Sequence, residues 1–260
     1  MTKISIQGIQ WDAKSSFQQG PAKAPSLIRK ALYSDSMNLY SEDGSSIEND
    51  SITDNGDFEI SEYFDIENIT REHLKSSDKI LSLGGDHSVT FPIIKAYHDK
   101  YPKLDILHID AHADLYHEYE GDPYSHACPF ARIMEHGFAV RLVQIGIRTL
   151  NPHQAEQAKK YKVQIQEMRH LDKISIPKFK NPLYISLDMD GFDPAYAPGV
   201  SHHEPGGLTS RQVINIIQNI DTEVVGADIV EYNPDRDFQD MTAYLAAKMM
   251  KELLGKMMER

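Results

Sequence analysis

Cysteine is almost missing from this chain of 260 residues, with Cys128 standing alone. That excludes an internal disulfide framework and a zinc site built from several thiolates, and a reducing compartment is the simplest setting. No run of about 20 apolar residues could cross a bilayer. The N-terminus lacks a basic segment followed by an apolar one, so the expectation is a soluble, unexported, cytoplasmic protein. Positive charge is scarce, 27 Lys and Arg against 39 Asp and Glu for a net charge of −12. Nucleic-acid and anionic-membrane surfaces draw on clustered Lys and Arg, so neither partner is expected. Carboxylates gathered together repel unless a multivalent ion or a cationic ligand sits among them, so the acidity anticipates both. Internal repeats, a heptad seam and low-complexity tracts are also missing.

What is present is an alternation of apolar strands and helices. With 40% apolar residues, the chain is long enough for one sizeable core, and a single domain over 1–260 is expected. Strands are predicted at 4–9, 80–83, 104–109, 142–147, 183–187 and 224–230. Helical spacing falls at 22–33, from 89 or 92 to 99, and at 155–161, 211–220 and 242–258. This order predicts an α/β three-layer sandwich, a central mostly parallel sheet with helices on both faces. Ligands of such sheets gather at the carboxyl ends of the strands. The polar stretch 34–68 reads as an irregular surface segment within the domain. Met249, Met250, Met257 and Met258, at helical spacing, read as packing.

Three clusters follow predicted strands. In Leu107-His108-Ile109-Asp110-Ala111-His112-Ala113-Asp114, a period of two puts Asp110, His112 and Asp114 on one side if the chain stays extended. Carboxylates with one imidazole suit Mn, Fe or Zn better than Ca or Cu. In Gly84-Gly85-Asp86-His87-Ser88, the glycines allow a tight turn that projects His87 over the sheet edge; Asp86 either orients His87 or caps the next helix. In Ser186-Leu187-Asp188-Met189-Asp190-Gly191-Phe192-Asp193-Pro194, Asp188 and Asp190 repeat the spacing, and Asp193-Pro194 reads as a turn. His87, Asp110, His112, Asp114, Asp188 and Asp190 are then six candidate ligands. A catalytic ion keeps a position open, so two ions sharing carboxylates fit the count better than one. His108, earlier in its strand, reads as a packed core histidine.

Taken together, the three clusters resemble the arginase and agmatinase ureohydrolase family, nearest to its agmatinase and plant-type arginase branch. Gly20-Pro21 with Ile28-Arg29, Ile145-Gly146-Ile147-Arg148, Ala197-Pro198-Gly199, Pro205-Gly206-Gly207-Leu208-Thr209 and Glu231-Tyr232-Asn233-Pro234 extend the resemblance over almost the whole chain. It implies two Mn2+ per subunit. His87, Asp110, Asp114 and Asp188 would hold one ion and Asp110, His112, Asp188 and Asp190 the other, with Asp110 and Asp188 bridging. It further implies guanidino hydrolysis by a metal-bridging hydroxide, with Asp114 among the catalytic groups, Glu231 as anion for a small cationic guanidino substrate and His126 as proton shuttle.

Arginases hold the amino-acid end of their substrate through polar residues at two places where this chain has Tyr116 and Asn151. That difference favours agmatine, hydrolysed to urea and putrescine. Gly199-Val200-Ser201-His202-His203-Glu204-Pro205 and Tyr124-Ser125-His126-Ala127 look instead like plant-type arginase, which makes arginine hydrolysis to urea and ornithine the alternative. Guanidinobutyrate and formiminoglutamate are outsiders. A metal-dependent deacetylase and a non-catalytic scaffold are the readings from other classes. His202 and His203 face either the substrate tail or solvent. Family members commonly form homo-oligomers, trimers or hexamers.

Overall fold

Strands that are apolar on both sides need covering on both sides. The computed structural model, which describes residues 2–173 and 175–259, meets that need with helices on each face. In chain order the elements are β1 (Ile4–Gln10), α1 (Ala24–Leu32), β2 (Ile52–Glu59), α2 (Asp65–Ser76), β3 (Lys79–Leu83), α3 (Thr90–Lys100), β4 (Asp105–Ile109), α4 (Pro129–His136), β5 (Arg141–Ile147), α5 (Pro152–Tyr161), β6 (Gln164–Glu167), β7 (Leu183–Asp188), α6 (Ser210–Gln218), β8 (Val224–Val230) and α7 (Met241–Met258). They form an eight-stranded sheet ordered β2-β1-β3-β8-β7-β4-β5-β6. Every strand pairing among the described residues is parallel.

Alternate strand residues feed two cores. Leu107 and Ile109 of β4 pack on the side of α1, α6 and α7, whereas Ile106 packs with α2, α3, α4 and α5. Met249, Met250 and Met257 lie buried in the first core, as expected. Local chemistry sets the helix ends. Thr209 and Gln212 form a capping box at the start of α6, satisfying backbone donors that would otherwise lack partners. Gly137 closes α4 in the left-handed region, where a Cβ is costly. No described helix is long and apolar enough to cross a membrane.

The segment 34–68 is not irregular throughout. It contains β2 and runs into α2. The sequence of β2, Ile-Thr-Asp-Asn-Gly-Asp-Phe-Glu, carries little apolar alternation because it is an edge strand with much of its surface exposed. Arg29 of α1 holds it by ion pairs to Asp54, at 2.7 Å, and Asp57. The other edge strand, β6, and the short α4 also lie outside the predicted elements.

The four central strands β3, β8, β7 and β4 are neighbours, and His87, Glu231, Asp188 and Asp110 stand at or just beyond their carboxyl ends.

Candidate metal centre

The same local device shapes all three clusters. A side-chain carboxylate accepts the backbone N–H two residues on, an Asx turn that curls the chain at once. Asp86 accepts from Ser88 at 3.1 Å, Asp110 from His112 at 2.6 Å and Asp188 from Asp190 at 2.8 Å. The pleat therefore does not align Asp110, His112 and Asp114, contrary to the expectation from a period of two. β4 ends at Ile109, and Asp114 adopts φ 48°, in the left-handed region that Asp tolerates better than most residues. Asp190 likewise lies in a 3-10 turn beyond β7. Asp86 makes no contact with the His87 ring among its hydrogen bonds. It caps the turn through Ser88 and holds the loop at Lys14 and Ser15. Gly85 sits so close to that segment that a Cβ would fall 1.6 Å from the Trp11 carbonyl oxygen.

All six candidate ligands converge. His87 Nδ1 lies 3.2, 3.1 and 2.9 Å from carboxylate oxygens of Asp110, Asp114 and Asp188, and His112 Nδ1 lies 3.0 Å from Asp190. His87, Asp110 and Asp188 are buried, as is Asp190. The donor set fits a cation. His87 Nε2 meets Ser186 Oγ at 2.9 Å, and that hydroxyl donates to Asp228 at 2.7 Å. Ser186 therefore accepts from Nε2–H, which leaves the lone pair of Nδ1 facing three carboxylates, and that buried nitrogen has no hydrogen-bond partner. Burial opposes charge on His87, but its three carboxylate neighbours outweigh it and raise its pKa well above the usual value, so a proton sits there unless another cation takes its place. Burial and the charge of Asp110 push Asp190 up to about 6, against the pull of His112. Burial, Asp110 and Asp190 raise Asp188 further. Like charges this close demand a cation among them.

Beside the cluster, Glu231 follows β8 at φ 61°. One carboxylate oxygen accepts the His87 backbone N–H at 2.9 Å and faces His126 Nδ1 at 2.8 Å. Burial lowers the His126 pKa, but Glu231 reverses the balance and lifts it to about 9. The Ser16 backbone N–H donates to Nε2 of the same ring at 3.1 Å, and its hydroxyl lies 2.7 Å from that atom.

These groups border a cavity of about 220 Å³. Tyr116 and His202 line it, and so do Ser16, Thr149, Gln154 and Glu204. The His202 ring stands 5.7 Å from His112 and 5.5 Å from His126. His203 instead bonds the Pro198 carbonyl from an exposed position. Asn151 is not part of the lining. Its carbonyl caps α5 through Gln154 N–H and its amide holds the Tyr116 hydroxyl, so it supports a wall residue where direct substrate contact was expected.

Several supporting residues escaped sequence reasoning. Arg148 donates to the carbonyls of Gly146, Asp190, Gly191, Phe192 and Glu204, and the Gly-x-Arg motif was its only signal. Ser186 and Asp228 look like ordinary strand residues until β7 and β8 are placed in register, where they are partners.

The arginase family model matches residues 2–255. A mitochondrial arginase of Medicago truncatula is 45% identical, covering 97% of this chain and 81% of that protein. The solved arginase from Medicago truncatula superposes with a TM-score of 0.89 at 43% identity, over 98% of this chain and 87% of that one. The agmatine ureohydrolase of Thermoplasma volcanium superposes with a TM-score of 0.86 at 31% identity, over 98% and 90%. With this fold, the His/Asp cluster and a match across nearly its whole length, the chain belongs to the arginase family and is a ureohydrolase.

Proposed function

We propose that the chain is a manganese-dependent enzyme that hydrolyses the guanidino group of arginine to urea and ornithine, within a single domain spanning the chain. The observation that carries the hydrolysis is the convergence of the His/Asp cluster with the Glu231–His126 pair on one cavity. Arginine takes precedence over agmatine because relatives named as arginases are 41–45% identical over 96–97% of the chain.

His87, Asp110, Asp114 and Asp188 would hold one Mn2+, and Asp110, His112, Asp188 and Asp190 the other. When bound, the ions supply Lewis acidity that makes water a nucleophile at neutral pH. Glu231 is held ionised, since His126 more than offsets its burial. One of its oxygens is engaged by His87 and His126, leaving the other for a planar guanidinium. His126, paired with Glu231 through Nδ1 and with its pKa lifted to about 9, holds a proton at neutral pH for the departing amine.

One observation favours agmatine as a second reading. Among the described residues the cavity lining contains no Lys or Arg, whereas it includes Glu204, so an α-carboxylate finds no cation there while a substrate whose far end is only an ammonium needs none. Initial rates of urea release from arginine, agmatine and guanidinobutyrate by Mn2+-loaded protein, with formamide release from formiminoglutamate, decide the matter. The highest kcat/KM is expected for arginine. A preference for agmatine moves the reading to the second substrate, and no turnover of any of the four refutes the proposed hydrolysis.

A further inference from the structure

His108 lies in β4 two residues before Asp110, fully buried, with its ring stacked on Phe130 of α4 at 3.9 Å between centroids. Packing explains the ring but not its two nitrogens. Nε2 is 2.7 Å from Asp110 Oδ2, and Nδ1 is 2.9 Å from the side-chain nitrogen of Gln144, the residue opposite His108 in β5. The Gln144 nitrogen also lies 2.6 Å from the Ala113 carbonyl oxygen. A carbonyl only accepts, so the amide must turn its NH2 group toward Ala113. The other hydrogen of that group points at His108 Nδ1, which must carry the lone pair. The imidazole proton is then on Nε2, aimed at Asp110.

The direction of this chain bears on what Asp110 can do. Each carboxylate oxygen has two lone pairs. Oδ1 spends one on the His112 N–H and Oδ2 one on His108 Nε2–H. One lone pair therefore remains free on each oxygen, the arrangement a carboxylate needs to serve two cations at once. The relay also begins and ends in one loop, because Ala113 lies between the ligands His112 and Asp114. His108 stands close enough to His87 and Asp110 to be taken for a ligand itself, but its single lone pair is committed to Gln144.

We propose that His108, with its tautomer set by Gln144, is a positioning residue that fixes the Asp110 carboxylate for bridging and takes no metal itself. The proposal rests on the two-ion reading above. Its test is Mn2+ binding to the full-length protein by equilibrium dialysis and titration calorimetry, with melting temperatures of the metal-free forms measured alongside. Wild type is expected to bind two ions. His108→Leu should weaken binding of at least one of them by roughly 10–100-fold, the usual effect of losing a group behind a ligand. His108→Gln, whose amide N–H can reach the same oxygen, should restore most of that loss. Gln144→Met should shift affinity in the same direction by less, and it tests the relay even if His108→Leu fails to fold. Equal weakening in His108→Leu and His108→Gln, or Mn2+ affinity unchanged in Gln144→Met and His108→Leu while melting temperatures fall, would overturn the positioning role. Wild type binding fewer than two ions would overturn the two-ion reading and the proposal with it. Two ions bound with no urea formed would count against the hydrolysis alone.

Discussion

The two imidazoles that flank the carboxylates, His87 and His112, live in opposite surroundings. His87 is completely buried and backed by Ser186 and Asp228, themselves buried, with Thr90 and Tyr184 donating to the same Asp228 carboxylate. His112 keeps about 25% of its side chain exposed, lines the cavity and faces His202. One end of the cluster is a fixed anchor held by a chain of hydrogen bonds through the sheet. The other is a working surface. Partners behind a ligand orient it and raise its basicity, so the anchored end governs ion retention and the open end governs what can approach.

The largest effect should come from Asp188→Asn, because Asp188 belongs to both ends. Metal content measured by atomic absorption should fall and turnover should drop by more than the roughly 10–100-fold typical of a residue behind a ligand; normal urea release from this variant would dissolve the comparison at its centre. Next in size is the contrast between the ends. Ser186→Ala should lower Mn2+ affinity by about 10–100-fold with KM little changed, whereas His202→Ala should alter KM and leave metal content intact. If both variants move the same quantity, the division between anchor and surface is wrong.

The smallest expected effect is a pH trend in the metal-free protein. Asp190 is raised to about 6 by burial and by Asp110, above the usual carboxylate value near 4. The folded state then binds more protons than the unfolded one between those values. Asp190 therefore favours folding at low pH, and that contribution is lost as pH rises through about 6. His87 and His112, raised by their carboxylate neighbours, act in the same direction. Metal-free protein should melt at a lower temperature at pH 7 than at pH 5, and Mn2+ should abolish or reverse the difference. A metal-free melting temperature that climbs from pH 5 to pH 7 would show that these carboxylates do not repel as described.

The site was legible in the sequence to the extent that residue type and order carried it. Six candidate ligands of two types, His and Asp, behind three apolar strands point to a metal centre from the sequence alone. The means of convergence was not legible, because a period of two assumes an extended chain while Asp110 and Asp188 each bend theirs by accepting the N–H two residues on. Residues that act across strands, such as Gln144 on His108 and Asp228 on Ser186, have no local signature and become visible only with the register. β2 was hidden for a different reason. A polar edge strand lacks the burial pattern by which strands are found, and its tie to the helix layer is the Arg29 side chain. Asn151 illustrates the limit of matching positions, since the side chain stands near the expected place but is used up in capping a helix and holding Tyr116.

Arg148 gathers five carbonyl oxygens, one of Gly146 in β5 and four, of Asp190, Gly191, Phe192 and Glu204, at the two ends of one loop. Asp190 stands at the start of that loop and Glu204, two residues beyond His202, at the other end. Both are thereby tied to a single guanidinium. Selectivity and metal retention meet at Arg148, whose bonds go to backbone carbonyls and not to the side chain of His202. A change that shifts the Glu204 backbone is transmitted through Arg148 to Asp190, whereas truncation of the His202 side chain leaves those bonds in place.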